Sequence, residues 1–248
     1  KPVVNLSTIE PGEKVMAVLP VKEFVEGRFL VFATANGYIK KTDLMAFAKP
    51  RPSGLIALSI DEDDQLIKVA LSNGNQDILV GTRMGMAIRF SEDDVREMGR
   101  TARGVRSIKL KRDGDQVVGM AVVSEDQPHL LSVSENGYGK RTAIEEYRTQ
   151  GRGGSGLTNF KLNAKTGNVA SVLAVNEQDD IMVVSDKGMM IRTGVAQVSL
   201  IGRATSGVRV INVSEGEAVA SIARLTDDDD GSIEPEDEVV DASPDTNE

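Results

Sequence analysis

Basic side chains recur in this sequence at fixed distances from glycine, and that spacing is its most specific chemical feature. Lys41, Arg89, Arg141 and Arg192 each lie four residues after a glycine, at Gly37, Gly85, Gly137 and Gly188. Arg100, Arg152 and Arg203 each lie four residues before a second glycine, at Gly104, Gly156 and Gly207; the first member of that series, Gly54, has Pro50 instead. Permanent cations at regular intervals suit charge-assisted hydrogen bonds to evenly spaced phosphates. They do not suit proton transfer or nucleophilic attack. The chain has no cysteine and one histidine, His129, which stands alone beside Pro128. Asp61 to Asp64 is the kind of acid run that loops expose to solvent, and a metal site is not indicated.

The two glycine series keep step. The turn glycines are spaced by 48, 52 and 51 residues and the loop glycines by 50, 52 and 51. Tyr38, Met86, Tyr138 and Met189 follow the turn glycines directly. A fixed period of this length marks a repeat architecture. Within each period, short apolar runs flank an Asn-Gly or Lys-Gly type turn, which is a β-hairpin signal because the turn needs positive φ. The pattern predicts strands at Lys14–Pro20, Phe29–Thr34, Tyr38–Thr42 and Leu55–Ile60. The second repeat predicts Gln65–Leu71, Asp77–Thr82, Met86–Phe90 and Val105–Leu110, with polar or short helical stretches at Asp43–Ala48 and Ser91–Met98. Two further repeats follow the same order, and Ala218–Leu225 begins another.

Four whole repeats, at about 13–60, 64–110, 115–162 and 167–213, with partial ends, give an all-β fold in which each unit is a four-stranded blade. A radial, propeller-like array leaves no long bare sheet edge, and single repeats cannot bury their apolar face alone. A two-sheet sandwich would not explain so regular a period. Residues 1–226 form the repeat domain. Residues 227–248 hold 11 acids and no Lys or Arg, so the net charge of -9 sits in the tail, while the body has 27 acids against 29 bases. Charge location then matters more than the total. The tail's composition predicts disorder. The absence of cysteine fits a reducing compartment, and no run of about 18 apolar residues exists to span a membrane. The chain starts at Lys1, and a piece of a longer protein is expected.

The segments NGYIKKT (Asn36 to Thr42), NGYGKRTAIEEY (Asn136 to Tyr147), DKGMMIRT (Asp186 to Thr193), MGRTARGVRSIKL (Met98 to Leu110) and IGRATSGVRVINV (Ile201 to Val213) carry a resemblance. The repeat resembles those of the C-terminal domain of the A subunit of bacterial DNA gyrase and of its relative in topoisomerase IV, over residues 1 to about 225. The resemblance implies a β-pinwheel, a propeller-like disc normally of six blades, with duplex DNA wrapped around a basic rim. It also implies ATP-dependent negative supercoiling by the whole enzyme, in which a second A subunit, with two B subunits, completes an A2B2 assembly. ATP and Mg2+ would belong to those other parts, with no cofactor and no catalytic residue in this stretch: no phosphate-binding ATP loop is present, and Tyr147 lacks the context of a DNA-cleaving tyrosine. A cytoplasmic, nucleoid-associated location is implied. The family's gyrase-A box, a basic loop of the first blade, is absent, and that blade is expected to be missing. Gln150, Gly151, Arg152, Gly153, Gly154, Ser155 and Gly156 are similar to a degenerate second copy, with Gly151 and Ser155 in place of two basic residues.

Candidate phosphate contacts are Lys40, Lys41, Arg89, Lys140, Arg141 and Arg192 after the turns. The loops add Arg100, Arg103, Arg152 and Arg203, and the strands Arg106, Lys109 and Arg209. Phosphate contacts position a duplex without reading its sequence, and nothing here resembles a base-reading helix. Each cation is also open to a plainer reading, as solvated surface or as a structural ion pair with a carboxylate such as Glu145 or Glu146. The loop glycines serve backbone shape or close phosphate approach, and Tyr38 and Tyr138 serve packing rather than base stacking. The alternatives for function are the topoisomerase IV domain and a propeller used as a protein-interaction platform. The tail is either solubilising or a DNA mimic that competes for the rim. If it competes, deleting residues 227–248 tightens DNA binding at low salt, and an unchanged affinity contradicts competition.

Overall fold

The computed structural model describes residues 14–51 and 53–225; the acidic tail and the partial repeat at the start lie outside the described residues. Four β-hairpins organise the chain. They are β1 (Phe29–Thr34) with β2 (Tyr38–Asp43), β4 (Asp77–Thr82) with β5 (Met86–Ser91), β8 (His129–Ser134) with β9 (Tyr138–Ala143), and β12 (Asp180–Ser185) with β13 (Met190–Gly194). Each turn closes the same way. The turn glycine N–H donates to the carbonyl three residues back, for example Gly37 to Thr34 at 3.0 Å and Gly137 to Ser134 at 3.0 Å. The hydroxyl of that same residue accepts from the amide after the glycine, as Thr34 does from Tyr38 and Ser185 from Met189.

The remaining strands are β3 (Leu66–Ser72), β6 (Val105–Arg106), β7 (Val117–Val122), β10 (Leu157–Thr158), β11 (Val169–Val175), β14 (Val208–Arg209) and β15 (Val219–Leu225). The sheet orders are β3-β1-β2-β6, β10-β5-β4-β7, β11-β8-β9-β14 and β13-β12-β15. We call these blades 1 to 4. A blade is therefore not one contiguous repeat, as the sequence predicts. It is the hairpin of one repeat clasped by the first and last strands of the next. The period is correct and the phase is shifted.

This exchange corrects two predicted strands. Lys14–Pro20 and Leu55–Ile60 are irregular, and Val18 and Ile56 are exposed by 73% and 68%. By phase they match an inner and an outer strand, and neither is paired in any of the four sheets. Strand backbone needs a ladder partner for its N–H and C=O groups. The outer strands are also shorter than predicted. After two paired residues each one wraps the hairpin turn, with Ser107 N–H donating to Gly37 C=O at 2.8 Å and Val210 N–H to Gly137 C=O at 2.9 Å.

Three apolar clusters fill the spaces between consecutive blades. Along β4, Ile78 and Val80 join Val31 and Ile39 of blade 1, while Leu79 joins Leu130 of blade 3. Strands covered on both faces read as continuous apolar runs rather than alternating ones, which is how Ile78-Leu79-Val80 and Leu130-Leu131 arise. The strands β3, β7, β11 and β15 pack against one another in order and line one cavity with Met16. They are the inner strands, so β6, β10 and β14 form the outer edge of blades 1, 2 and 3. No helix among the described residues is long and apolar enough to cross a membrane.

Candidate nucleic-acid interface

The outer edge strands and the glycine loops that feed them carry most of the exposed predicted cations. Arg106 on β6 and Arg209 on β14 occupy matching positions, paired across the ladder with Tyr38 and Tyr138. Arg106 donates from Nη2 to the Tyr38 hydroxyl at 3.1 Å, and Arg209 does the same to Tyr138 at 2.9 Å. Arg106, Arg209, Lys109, Arg103 and Arg152 are exposed. Arg103 stacks 4.0 Å from the Tyr38 ring centroid and is ion-paired with Asp61. The tyrosines are thus half-buried packing residues, as expected, and also seats for arginine.

Arg152 and Arg203 brace blade to blade, and Arg100 stays within blade 1. Arg152 donates from Nε to Asp94 C=O at 2.7 Å and from Nη1 to Arg106 C=O at 3.2 Å; Arg203 donates to Thr158 C=O at 3.0 Å and Arg100 to Ala46 C=O at 3.3 Å. In the Gln150–Gly156 loop, the Gly153 amide is spent on Ser107 C=O at 2.6 Å, and Gly154 C=O accepts from Lys109 N–H. That loop is a docked bridge between blades, with the Gly153 N–H committed internally rather than open to a phosphate.

The structure turns four of the six cations placed after the turns inward. Lys40, Lys41, Lys140 and Arg141 are 0%, 6%, 0% and 5% exposed. Lys40 Nζ donates to the carbonyls of Ala57, Gly99 and Arg100, and Lys140 Nζ to those of Gly202 and Arg203. Their charged ends anchor the loops that carry rim arginines. In blades 1 to 3 the residue four past the turn stitches the hairpin to the next blade. Lys41 reaches Glu92 C=O at 3.2 Å, Arg89 reaches Ile144 C=O at 3.2 Å, and Arg141 reaches Val198 C=O at 2.7 Å. The plainer reading holds for this series, with different partners from those expected: Arg89 pairs with Asp77 at 2.7 Å and Arg192 with Asp180 at 2.7 Å, not with Glu145 or Glu146. Arg192 alone of the four is exposed. A cation buried and bonded to the next blade, as Lys41 and Arg141 are, is unavailable to a phosphate without breaking that blade contact.

Sequence reasoning missed Lys161. It lies five residues after Gly156, as Lys109 lies five after Gly104, and it is exposed. Carrying the position of Lys109 over to the next repeat would have found it. Lys111 and Arg112, exposed just beyond β6, were missed too. No group of three or more His, Asp or Glu side chains able to hold a metal exists among the described residues.

Burial lowers the pKa of Lys40 and of Lys140 from 10.5 to about 8; at Lys140, Glu146 opposes this and Arg203 adds to it. Below pH 8 both lysines are charged in folded and unfolded chains, and the cost of burying them is fully felt. Between about 8 and 10.5 the folded chain sheds protons that the unfolded chain keeps, so stability rises with pH. Lys40→Ile with Lys140→Ile, the residue type that blades 2 and 4 carry as Ile88 and Ile191, is expected to lose most of that rise in urea unfolding. Identical pH profiles for parent and variant would contradict it.

The comparisons with known proteins agree with this architecture. A family profile described as "DNA gyrase C-terminal domain, beta-propeller" matches residues 28–73, 76–124, 128–176 and 179–226, each match beginning at or just before a hairpin. The DNA gyrase A subunit of Salmonella typhimurium is 40% identical over 97% of this chain, and that of Haloquadratum walsbyi is 44% identical over 94%. The chain spans about 28% of the length of each. A solved DNA gyrase A C-terminal domain superposes with a TM-score of 0.81 at 28% identity, covering 91% of this chain and 75% of that one. A topoisomerase IV C-terminal domain superposes at 0.82 with 24% identity, over 91% and 70%, which shows the shared fold. With four profile matches falling one on each hairpin, the chain belongs to the family of DNA gyrase C-terminal β-propeller domains.

Proposed function

We propose that this domain binds duplex DNA along its outer edge without reading sequence, and wraps it as part of the A subunit of a gyrase. The observation that carries this reading is the sorting of the cations. The after-turn series is mostly turned inward, whereas Arg106, Lys109, Lys161 and Arg209 stand exposed on or just beyond the outer strands. A duplex presents one charge per about 1.7 Å of axis, so cations repeated from blade to blade can follow it as it bends. Bending costs on the order of 1–6 kcal/mol for 40–90° over 20–30 base pairs, offset by the contacts it adds. Supercoiling would need ATP and Mg2+ held elsewhere in the enzyme. Its partners would be a second A subunit, with two B subunits, in the cytoplasm and at the nucleoid. The gyrase names of the curated relatives favour this over a place in topoisomerase IV.

The test is binding of a mixed-sequence duplex across a salt series, with topology read by ligating a relaxed circle in the presence of the domain and removing the protein. Steep salt dependence and retained positive writhe are expected. Binding without writhe would reduce the role to DNA contact. No binding at low salt, with the tail removed, would return the protein-platform reading.

A further inference from the structure

The blades are of two kinds, and they alternate. Blades 1 and 3 carry Tyr38 and Tyr138 after the turn glycine, and blades 2 and 4 carry Met86 and Met189. Two residues further on, blades 1 and 3 carry the buried lysines Lys40 and Lys140 where the others have Ile88 and Ile191. The outer strand follows suit. Arg106 and Arg209 face the tyrosines, whereas Thr158 faces Met86. In both tyrosine blades the guanidinium carbon lies 4.9 Å from the ring centroid.

Resting on the DNA-binding reading, we propose that tyrosine-seated arginines grip the duplex at blades 1 and 3, while blade 2 meets it with Lys161 and no seated arginine. Guanidinium has five N–H donors in a fixed fork. The tyrosine hydroxyl takes one of them and the ring face holds the plane. Arg106 and Arg209 remain exposed, so donors are left over for a ligand, and a guanidinium edge matches two phosphate oxygens. An unseated surface arginine would have to give up rotamer freedom on binding, and the seat removes part of that cost beforehand. The buried lysines support the same two blades from beneath. Lys40 ties down the backbone of Gly99 and Arg100, just ahead of β6, and Lys140 ties down Gly202 and Arg203, just ahead of β14. In blade 2 the corresponding loop rests on Ile88, 3.4 Å from where a Gly154 side chain would begin. Tyr38 and Tyr138 are thus positioning residues, and Arg106 and Arg209 the phosphate contacts.

The test uses the whole chain and a mixed-sequence linear duplex, with dissociation constants measured over a salt series. Arg106→Ala with Arg209→Ala is expected to flatten the log–log slope by about 1.8, at 0.9 per contact. Tyr38→Met with Tyr138→Met installs the residue that two sibling blades already use, so the fold is kept, which a melting curve verifies. It is expected to weaken binding roughly tenfold while changing the slope by less than one contact. Tyr→Phe at both positions, which removes only the hydroxyl, is expected to weaken it roughly threefold. Met86→Tyr with Thr158→Arg is expected to steepen the slope by about 0.9. If the tyrosine variants bind like the parent, or if the arginine pair leaves the slope unchanged, the two-blade grip is wrong while DNA binding stands. If the parent itself shows no salt-dependent binding, the reading beneath it fails.

Discussion

Replacing Lys41 by methionine is expected to cost about 3–5 kcal/mol of stability, the effect of stranding a buried charge. Glu92 is 0% exposed. Its carboxylate accepts from Ser72 Oγ at 2.5 Å and from Gln76 N–H at 3.3 Å, and its countercharge is Lys41 Nζ, 3.6 Å from Oε1. The same ammonium donates to Glu92 C=O and lies 5.1 Å from the Phe29 ring. Removing it leaves an uncompensated carboxylate between blades 1 and 2, beside the cluster built on Val31, Val80 and Phe90. Replacing both partners is milder than breaking one, so Lys41→Met with Glu92→Gln is expected to recover much of the loss. Urea unfolding of the three proteins checks this. A loss below about 1 kcal/mol for the single variant, the size of an exposed pair, would contradict a stranded buried charge.

Gly156→Ala is the second large effect, and its contrast with Gly54→Ala makes it specific. Both glycines have positive φ, +69° and +77°, so alanine at either is strained by about 1–2 kcal/mol. At Gly54 a new Cβ meets nothing within 4 Å, but at Gly156 it runs into the Ala87 carbonyl oxygen. That oxygen belongs to the ladder that seats Leu157 and Thr158 on β5. The whole outer strand of blade 2 must move away. We expect Gly156→Ala to lose about 3 kcal/mol or more, roughly 6–12 °C in melting temperature for a domain of this size. Gly54→Ala should lose a third to a half of that. Equal shifts would mean that φ alone, and not close approach, keeps glycine at these positions.

The four hairpins were readable from sequence because every signal for them is local. Asn36-Gly37 and Asn136-Gly137 sit between short apolar runs, and the period repeats the same cue. The blade boundary was not readable, because the decisive pairing is distant. Arg106 meets Tyr38 across 68 residues, and no local pattern distinguishes a strand that pairs within its own repeat from one that pairs with the repeat before. Short outer strands added to the difficulty, since the apolar run Val105–Leu110 continues after its two ladder residues.

The candidate interface was half readable. The offset from the loop glycine found Arg152 on the exposed edge, and the predicted outer strands gave Arg106 and Arg209. The basic pairs after the turns also brought in Lys40 and Lys140, whose burial runs against the usual exposure of lysine. Consecutive lysines in Tyr38-Ile39-Lys40-Lys41 point to opposite faces of β2, and a sequence gives no sign that both faces are covered. The clue lay in the alternation itself: a position that is lysine in one blade and isoleucine in the next is one where the environment accepts an apolar side chain.

The most direct test of the rim as the DNA-binding surface is the salt slope of duplex binding by a variant carrying Arg106→Ala, Lys109→Ala, Lys161→Ala and Arg209→Ala, set against the parent. If the outer edge holds the phosphates, the slope flattens by about 3.6, at 0.9 for each contact, while thermal stability changes little. A parent that binds with a steep slope and a variant that keeps it would place the DNA elsewhere on the domain and contradict the account.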